Sequence, residues 1–106
     1  MDLGLKGKRA LITGASKGIG LATATRLAQE GASVAIVARR LDALAEAEAA
    51  ILRAAPGATV VVISADVATA EGTAGAVEQA LGALGGLDIL VNNAGRSAGG
   101  RALEQS

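Results

Sequence analysis

Unbroken apolar runs of strand length alternate along this chain with segments in which apolar residues recur every three or four positions. The runs fall at Arg9–Thr13, Ser33–Ala38, 59–64 and 88–92. Each is apolar between its ends, the signature of parallel strands covered on both faces. In the first intervening segment Gly20, Ala24, Leu27 and Ala28 share a helical face, and Gly31 supplies a stop. In the second, Leu44, Ala47, Ile51 and Leu52 share a face; Asp42 is the predicted N-cap, and Pro56-Gly57 ends the helix. The third places Ala74, Val77, Leu81 and Leu84 together and ends at Gly85-Gly86.

The predicted order is therefore βαβαβαβ. Strands joined through helices pair in parallel by right-handed crossovers. The expected architecture is an α/β Rossmann-type parallel sheet, truncated, with strand order 3-2-1-4. Two helices would cover one face and the third the other. No repeat or composition break divides residues 1–106, so they read as one domain. Residues 96–101 are rich in Gly and Ser and read as a loop.

Composition narrows the function. Hydrophobic residues make up 51% of the 106 positions, too many for a disordered chain. No run approaches the ~20 residues of a membrane span, and the first eight residues lack the apolar core of a secretory leader. Ten basic residues balance ten acidic ones, which gives no electrostatic pull toward nucleic acid or membrane surfaces. Aromatic residues are absent, so there is no stacking platform for single strands. Without Cys or His the chain has neither a disulfide framework nor the usual metal ligands, and no metal site is expected. The expected setting is the cytoplasm.

The chemistry concentrates at strand ends. Thr13-Gly14-Ala15-Ser16-Lys17-Gly18-Ile19-Gly20 follows the first strand and opens the first helix. Glycines there allow a sharp turn and close approach of a ligand to the backbone. The helix then directs unpaired N–H groups and its positive dipole end at an anion, typically phosphate. A second block, Leu90-Val91-Asn92-Asn93-Ala94-Gly95, ends the fourth strand. Ligands of open α/β sheets bind beyond such ends, where the strand order reverses. Ser16 also completes a G-x-S-x-G match, the context of a hydrolase nucleophile, but no His exists to activate it.

Together the two blocks closely resemble the classical short-chain dehydrogenase/reductase family, specifically its N-terminal cofactor-binding part. The resemblance spans the chain from Lys6-Gly7-Lys8-Arg9 to Gly95. It implies a dinucleotide cofactor held by Gly14, Ser16, Lys17, Gly18, Ile19 and Gly20, with Asn93, Ala94 and Gly95 touching the cofactor and one Asn supporting the sheet. The second strand ends Val37-Ala38-Arg39-Arg40, with no acid to bond a ribose 2′-hydroxyl. Two guanidinium groups stand where a 2′-phosphate would lie, and Lys17 adds a third cation, so NADP(H) is the expected cofactor. For Arg40 and Lys17 a solvated surface charge is the competing account. Asp66-Val67, after the third strand, would contact the adenine by resemblance; a turn-forming Asp66 acting with Thr69 is the equal alternative.

The family's proton donor is the Tyr of a Tyr-x-x-x-Lys motif, and this chain contains no Tyr. No catalytic residue is assigned. The leading expectation is the N-terminal portion of an NADP(H)-dependent oxidoreductase that transfers hydride to a carbonyl or from an alcohol. The alternatives are a standalone NADP(H)-binding module without turnover, and an interaction fragment completed by another chain. The fourth strand would be an open sheet edge, prone to self-association.

Overall fold

The structure, a computed structural model, describes residues 4–93. Its elements are β1 (Arg9–Thr13), α1 (Gly18–Gln29), β2 (Ser33–Ala38), α2 (Leu41–Ala54), β3 (Val60–Ser64), α3 (Ala70–Leu84) and β4 (Ile89–Asn92). All four strands pair in parallel in the order β3-β2-β1-β4, as expected from the sequence. The β3 and β4 starts differ by one residue from the sequence-based bounds.

Side-chain alternation along the two central strands builds a core on each face. Ala10 and Ile12 of β1, with Val34 and Ile36 of β2, meet Ala24 and Ala28 of α1 and Leu44, Ala47 and Ile51 of α2. Leu11, Ala35, Val37 and Ile63 face the other way, onto Ala76 and Ala80 of α3. Burial of each larger aliphatic contributes about 1.5–3 kcal/mol, and alanines at the helix contacts let backbone and sheet come close.

The structure corrects three expectations. Only β1 and β2 are buried along their length; β3 and β4 are outer strands and partly exposed, with Leu90 54% exposed. The buried face of α3 centres on Ala76 and Ala80, flanked by Val77 and Leu84, whereas Leu81 is 42% exposed and Ala74 is exposed. The centre of that contact is occupied by small residues that seat the helix against the sheet. Arg40, not Asp42, is the N-cap of α2, and Asp42 sits in its first turn.

The outer strand β4 is tied to β1 at both ends. At the start, the Asp88 carboxylate accepts from the Arg9 backbone N–H at 2.9 Å and from its Nε at 3.0 Å. The Arg9 side chain, and next its backbone N–H, hold the Asp88 carboxyl below the usual range. At the other end the Thr13 hydroxyl donates to Asn92 Oδ1 at 2.9 Å and accepts the Asn93 N–H at 3.1 Å. These ties set the strand ends on which the site is built.

Candidate functional site

Each strand hands the chain to the next loop at the same end of the sheet, and three of those loops converge. After β1, Gly14 and Gly18 take φ of 62° and 65°, a left-handed conformation open to glycine at little cost. The Ala15 N–H donates to the Val37 carbonyl at 3.3 Å, which ties this loop to the end of β2. Gly20 has a different reason to be glycine: a Cβ there would overlap the Gly14 carbonyl oxygen and lie 2.8 Å from its carbon. The first turn of α1 is thereby packed against the loop that precedes it.

The α1 N-terminus is left electrically open. Its N-cap, Lys17, is extended and makes no side-chain capping bond, and no acid lies in the first turn. The other two helices differ: α2 carries Asp42 in its first turn, and α3 has the Thr69 hydroxyl as cap and Glu71 beyond it. The positive end of α1 therefore has no acid from its own first turn to offset it.

Arg39 and Arg40 follow β2. The Arg39 carbonyl accepts the Ser64 hydroxyl at 2.9 Å, and the Ala38 carbonyl accepts the Ala65 N–H at 3.1 Å, so β3 steadies the backbone that carries them. The Arg39 side chain is 73% exposed and its Nη1 lies 4.0 Å from Asp66 Oδ2, a distance and exposure that make a weak pair. Arg40 is engaged by Asp42, Nε to Oδ1 at 3.1 Å and Nη2 to Oδ2 at 2.5 Å.

After β3, Asp66 forms the turn. Its Oδ1 accepts the Ala68 N–H at 3.0 Å, its carbonyl accepts the Thr69 hydroxyl at 3.1 Å, and Thr69 Oγ1 accepts the Gly72 N–H at 2.9 Å. A Cβ on Gly72 would overlap the Asp66 carbonyl oxygen. Gly14 with Gly20 and Asp66 with Gly72 thus make the same close contact six residues apart, in two βα units.

These segments enclose an open groove of about 480 Å³. Of the residues singled out in the sequence, Gly14, Ser16, Lys17, Arg39, Arg40, Asp66 and Val67 line it. Gly18, Ile19 and Gly20 do not: Gly20 is buried against the loop, and Ile19 is 76% exposed on α1. Asn93 stands apart at the end of β4, its Nδ2 buried and without a hydrogen-bond partner among the described residues. Ala94 and Gly95 lie outside the described residues. Sequence reasoning missed Val37, Ala38, Ala43, Glu46, Ala65 and Ala68, which complete the lining.

The groove offers an apolar floor of Val37, Ala38, Ala65 and Val67, the cations Lys17, Arg39 and Arg40 with the carboxylates Glu46 and Asp66 on its flanks, and a nearby helix N-terminus. Among the described residues the buried Asn93 amide is a donor without a partner, of the kind that a bound polar group satisfies.

A family profile described as short chain dehydrogenase matches residues 8–106. An L-xylulose reductase of Mus musculus is 46% identical over 94 residues, 89% of this chain and 34% of that protein. The crystal structure of L-sorbose reductase from Gluconobacter frateurii, complexed with NADPH and L-sorbose, superposes with a TM-score of 0.83 at 49% identity over 90% of this chain and 36% of that one. An NAD+-bound xylitol dehydrogenase superposes with a TM-score of 0.76 at 37% identity, covering 82% of this chain and 33% of that one. The chain thus spans about a third of the length of these proteins.

Proposed function

The chain belongs to the short-chain dehydrogenase family, and on that premise we propose that residues 1–106 form the NADP(H)-binding portion of a reductase acting between a carbonyl and an alcohol. The observation that carries the reading is the convergence of the glycine loop, the open N-terminus of α1 and Arg39 on one groove. Gly14, Ser16 and the first turn of α1 receive the pyrophosphate. Arg39, with Lys17, receives the 2′-phosphate. The floor beside Asp66 and Val67 takes the adenine. Asn93, Ala94 and Gly95 contact the nicotinamide ribose, where Asn93 Nδ2, without a hydrogen-bond partner among the described residues, supplies a donor. Gly18, Ile19 and Gly20 act through the backbone of that first turn.

The bound nicotinamide supplies the hydride, and the protein binds and orients it. No Tyr or His is present to move the accompanying proton. On this reading the 106-residue chain binds cofactor without turning it over, and in a longer relative the proton donor comes from outside the third spanned here. NADPH fluorescence is expected to saturate on titration with the chain, at lower concentration than NADH, with no NADPH oxidation when carbonyl sugars are added. Absence of saturable NADPH binding sinks the reading. Oxidation that disappears in Gly18→Trp sinks the claim of no turnover. A cytoplasmic location is part of the same proposal.

The open side of the sheet carries a second part of the proposal, self-association through β4. Ile89-Leu90-Val91 presents an apolar outer strand without Lys or Pro, and its Leu90 is exposed. Among the described residues α3 packs chiefly on β3, β2 and β1. Dimers or larger species are expected by light scattering, with faster amide exchange in Ile89–Asn92 than in Arg9–Thr13 when the chain is dilute. A monomer at high concentration with equal protection in both strands removes this part.

A further inference from the structure

We propose that Asp42, beside the groove, is a specificity-determining residue: by occupying one phosphate-binding edge of Arg40 and balancing its charge, it restrains preference for a 2′-phosphorylated dinucleotide. The inference rests on the reading of the groove as an NADP(H) site. Arg recognises phosphate best through two parallel N–H groups on one edge of the guanidinium. In Arg40 one such edge, Nε and Nη2, is held by both oxygens of Asp42, which leaves a phosphate only the Nη1–Nη2 edge of a guanidinium whose charge Asp42 already balances. Asp42 is itself fixed from behind. Its Oδ1 accepts the Ala43 N–H at 2.9 Å, and it is the acid in the first turn of α2, where the helix dipole favours a carboxylate. The Arg40 contact, then the Ala43 N–H, keep the Asp42 carboxyl below its ordinary range, so it is charged at neutral pH.

The charges around the groove make the restraint consequential. Arg39 leans on Asp66, Arg40 is neutralised by Asp42, and Glu46 adds a carboxylate to the lining. Lys17 makes no ion pair with any described residue, so a 2′-phosphate meets Arg39 and Lys17 ahead of Arg40. Arg40 and Asp42 are both largely exposed, at 75% and 65% of their side chains, so the pair is breakable.

The test titrates NADPH and NADH against the native 106-residue chain, Asp42→Asn, Asp42→Ser, Arg40→Ala and the double variant Arg40→Ala with Asp42→Asn. Circular dichroism and urea unfolding establish that each is folded. Both Asp42 variants are expected to bind NADPH about two- to fivefold more tightly, the scale set by exposed ion pairs, with NADH unchanged. The gain should vanish in the double variant and shrink in about 0.5 M salt. Two variants are used because Asn and Ser both retain an oxygen that can accept the Ala43 N–H. If the native chain prefers NADPH but neither Asp42 variant sharpens that preference, the role of Asp42 is overturned while the cofactor reading stands. If the gain persists without Arg40, general charge repulsion replaces the proposed restraint. If the native chain binds neither dinucleotide, or both alike, the cofactor reading fails first and takes this inference with it.

Discussion

Gly20→Ala is expected to lower stability by about 3 kcal/mol or more, or to displace the glycine loop. The added Cβ would overlap the Gly14 carbonyl oxygen, lie 2.8 Å from its carbon, and sit 3.0 Å from the Ala15 Cα. All three obstacles are backbone, so no rotamer change relieves them. The loop in turn is pinned by the Ala15 N–H bond to the carbonyl of the fully buried Val37. An internal control separates this from the ordinary behaviour of glycine in a helix. Gly82 in α3 is exposed and a Cβ there meets nothing within 4 Å. Gly82→Ala is therefore expected to stabilise by about 0.5–1 kcal/mol, because alanine loses less backbone entropy in a helix. Urea unfolding of the two variants should move in opposite directions. A Gly20→Ala protein as stable as the native chain would show that the close contact is not a constraint. Should Gly20→Ala fold, its loop must have shifted, and NADPH binding should weaken with it.

Legibility in the sequence followed the strength of the physical signal. The strand order could be inferred because each strand run was followed by a helical period, and parallel crossovers leave few arrangements. The first two helices read correctly because Gly20, Ala24 and Ala28 in α1, and Leu44, Ala47 and Ile51 in α2, recur at helical spacing on the face that is buried. α3 misled because Ala and Gly occur all round it, and the few large residues, Leu81 among them, mark its rim. The groove was legible where special backbone or charge was needed, at Gly14, Lys17, Arg39 and Asp66. Its floor was not: Ala38, Ala65 and Ala68 look like any small residue, and only the convergence of loops gives them a role. Nor does sequence reveal that Gly72 repeats the Gly20 contact, since no glycine pattern announces it. The Arg40–Asp42 pair lies two residues apart, yet Asp42 read as a helix cap because its spacing suited both roles.

Arg39→Ala is expected to weaken NADPH binding by about 10- to 100-fold while leaving NADH nearly unchanged. A charge-assisted hydrogen bond to a phosphate contributes roughly 1.5–3 kcal/mol, and each 1.4 kcal/mol is about tenfold in dissociation constant. The lower end is the better expectation, because the side chain is 73% exposed and pays rotamer entropy when it settles on a ligand. Selectivity should come from Arg39 more than Arg40, since Arg39 has only a 4.0 Å contact to Asp66 to give up, whereas Arg40 is doubly bonded to Asp42. Its position is also the better defined: Ser64 holds the Arg39 carbonyl and Ala65 holds Ala38, so the base of the side chain is anchored to β3. Ser64→Ala should therefore produce a milder, same-signed loss for NADPH, through positioning and not charge. Isothermal titration with both dinucleotides at fixed ionic strength measures these effects. Equal weakening of NADPH and NADH in Arg39→Ala would show that Arg39 supports the groove without reading the 2′-phosphate, and would return the cofactor choice to Lys17 and the helix N-terminus.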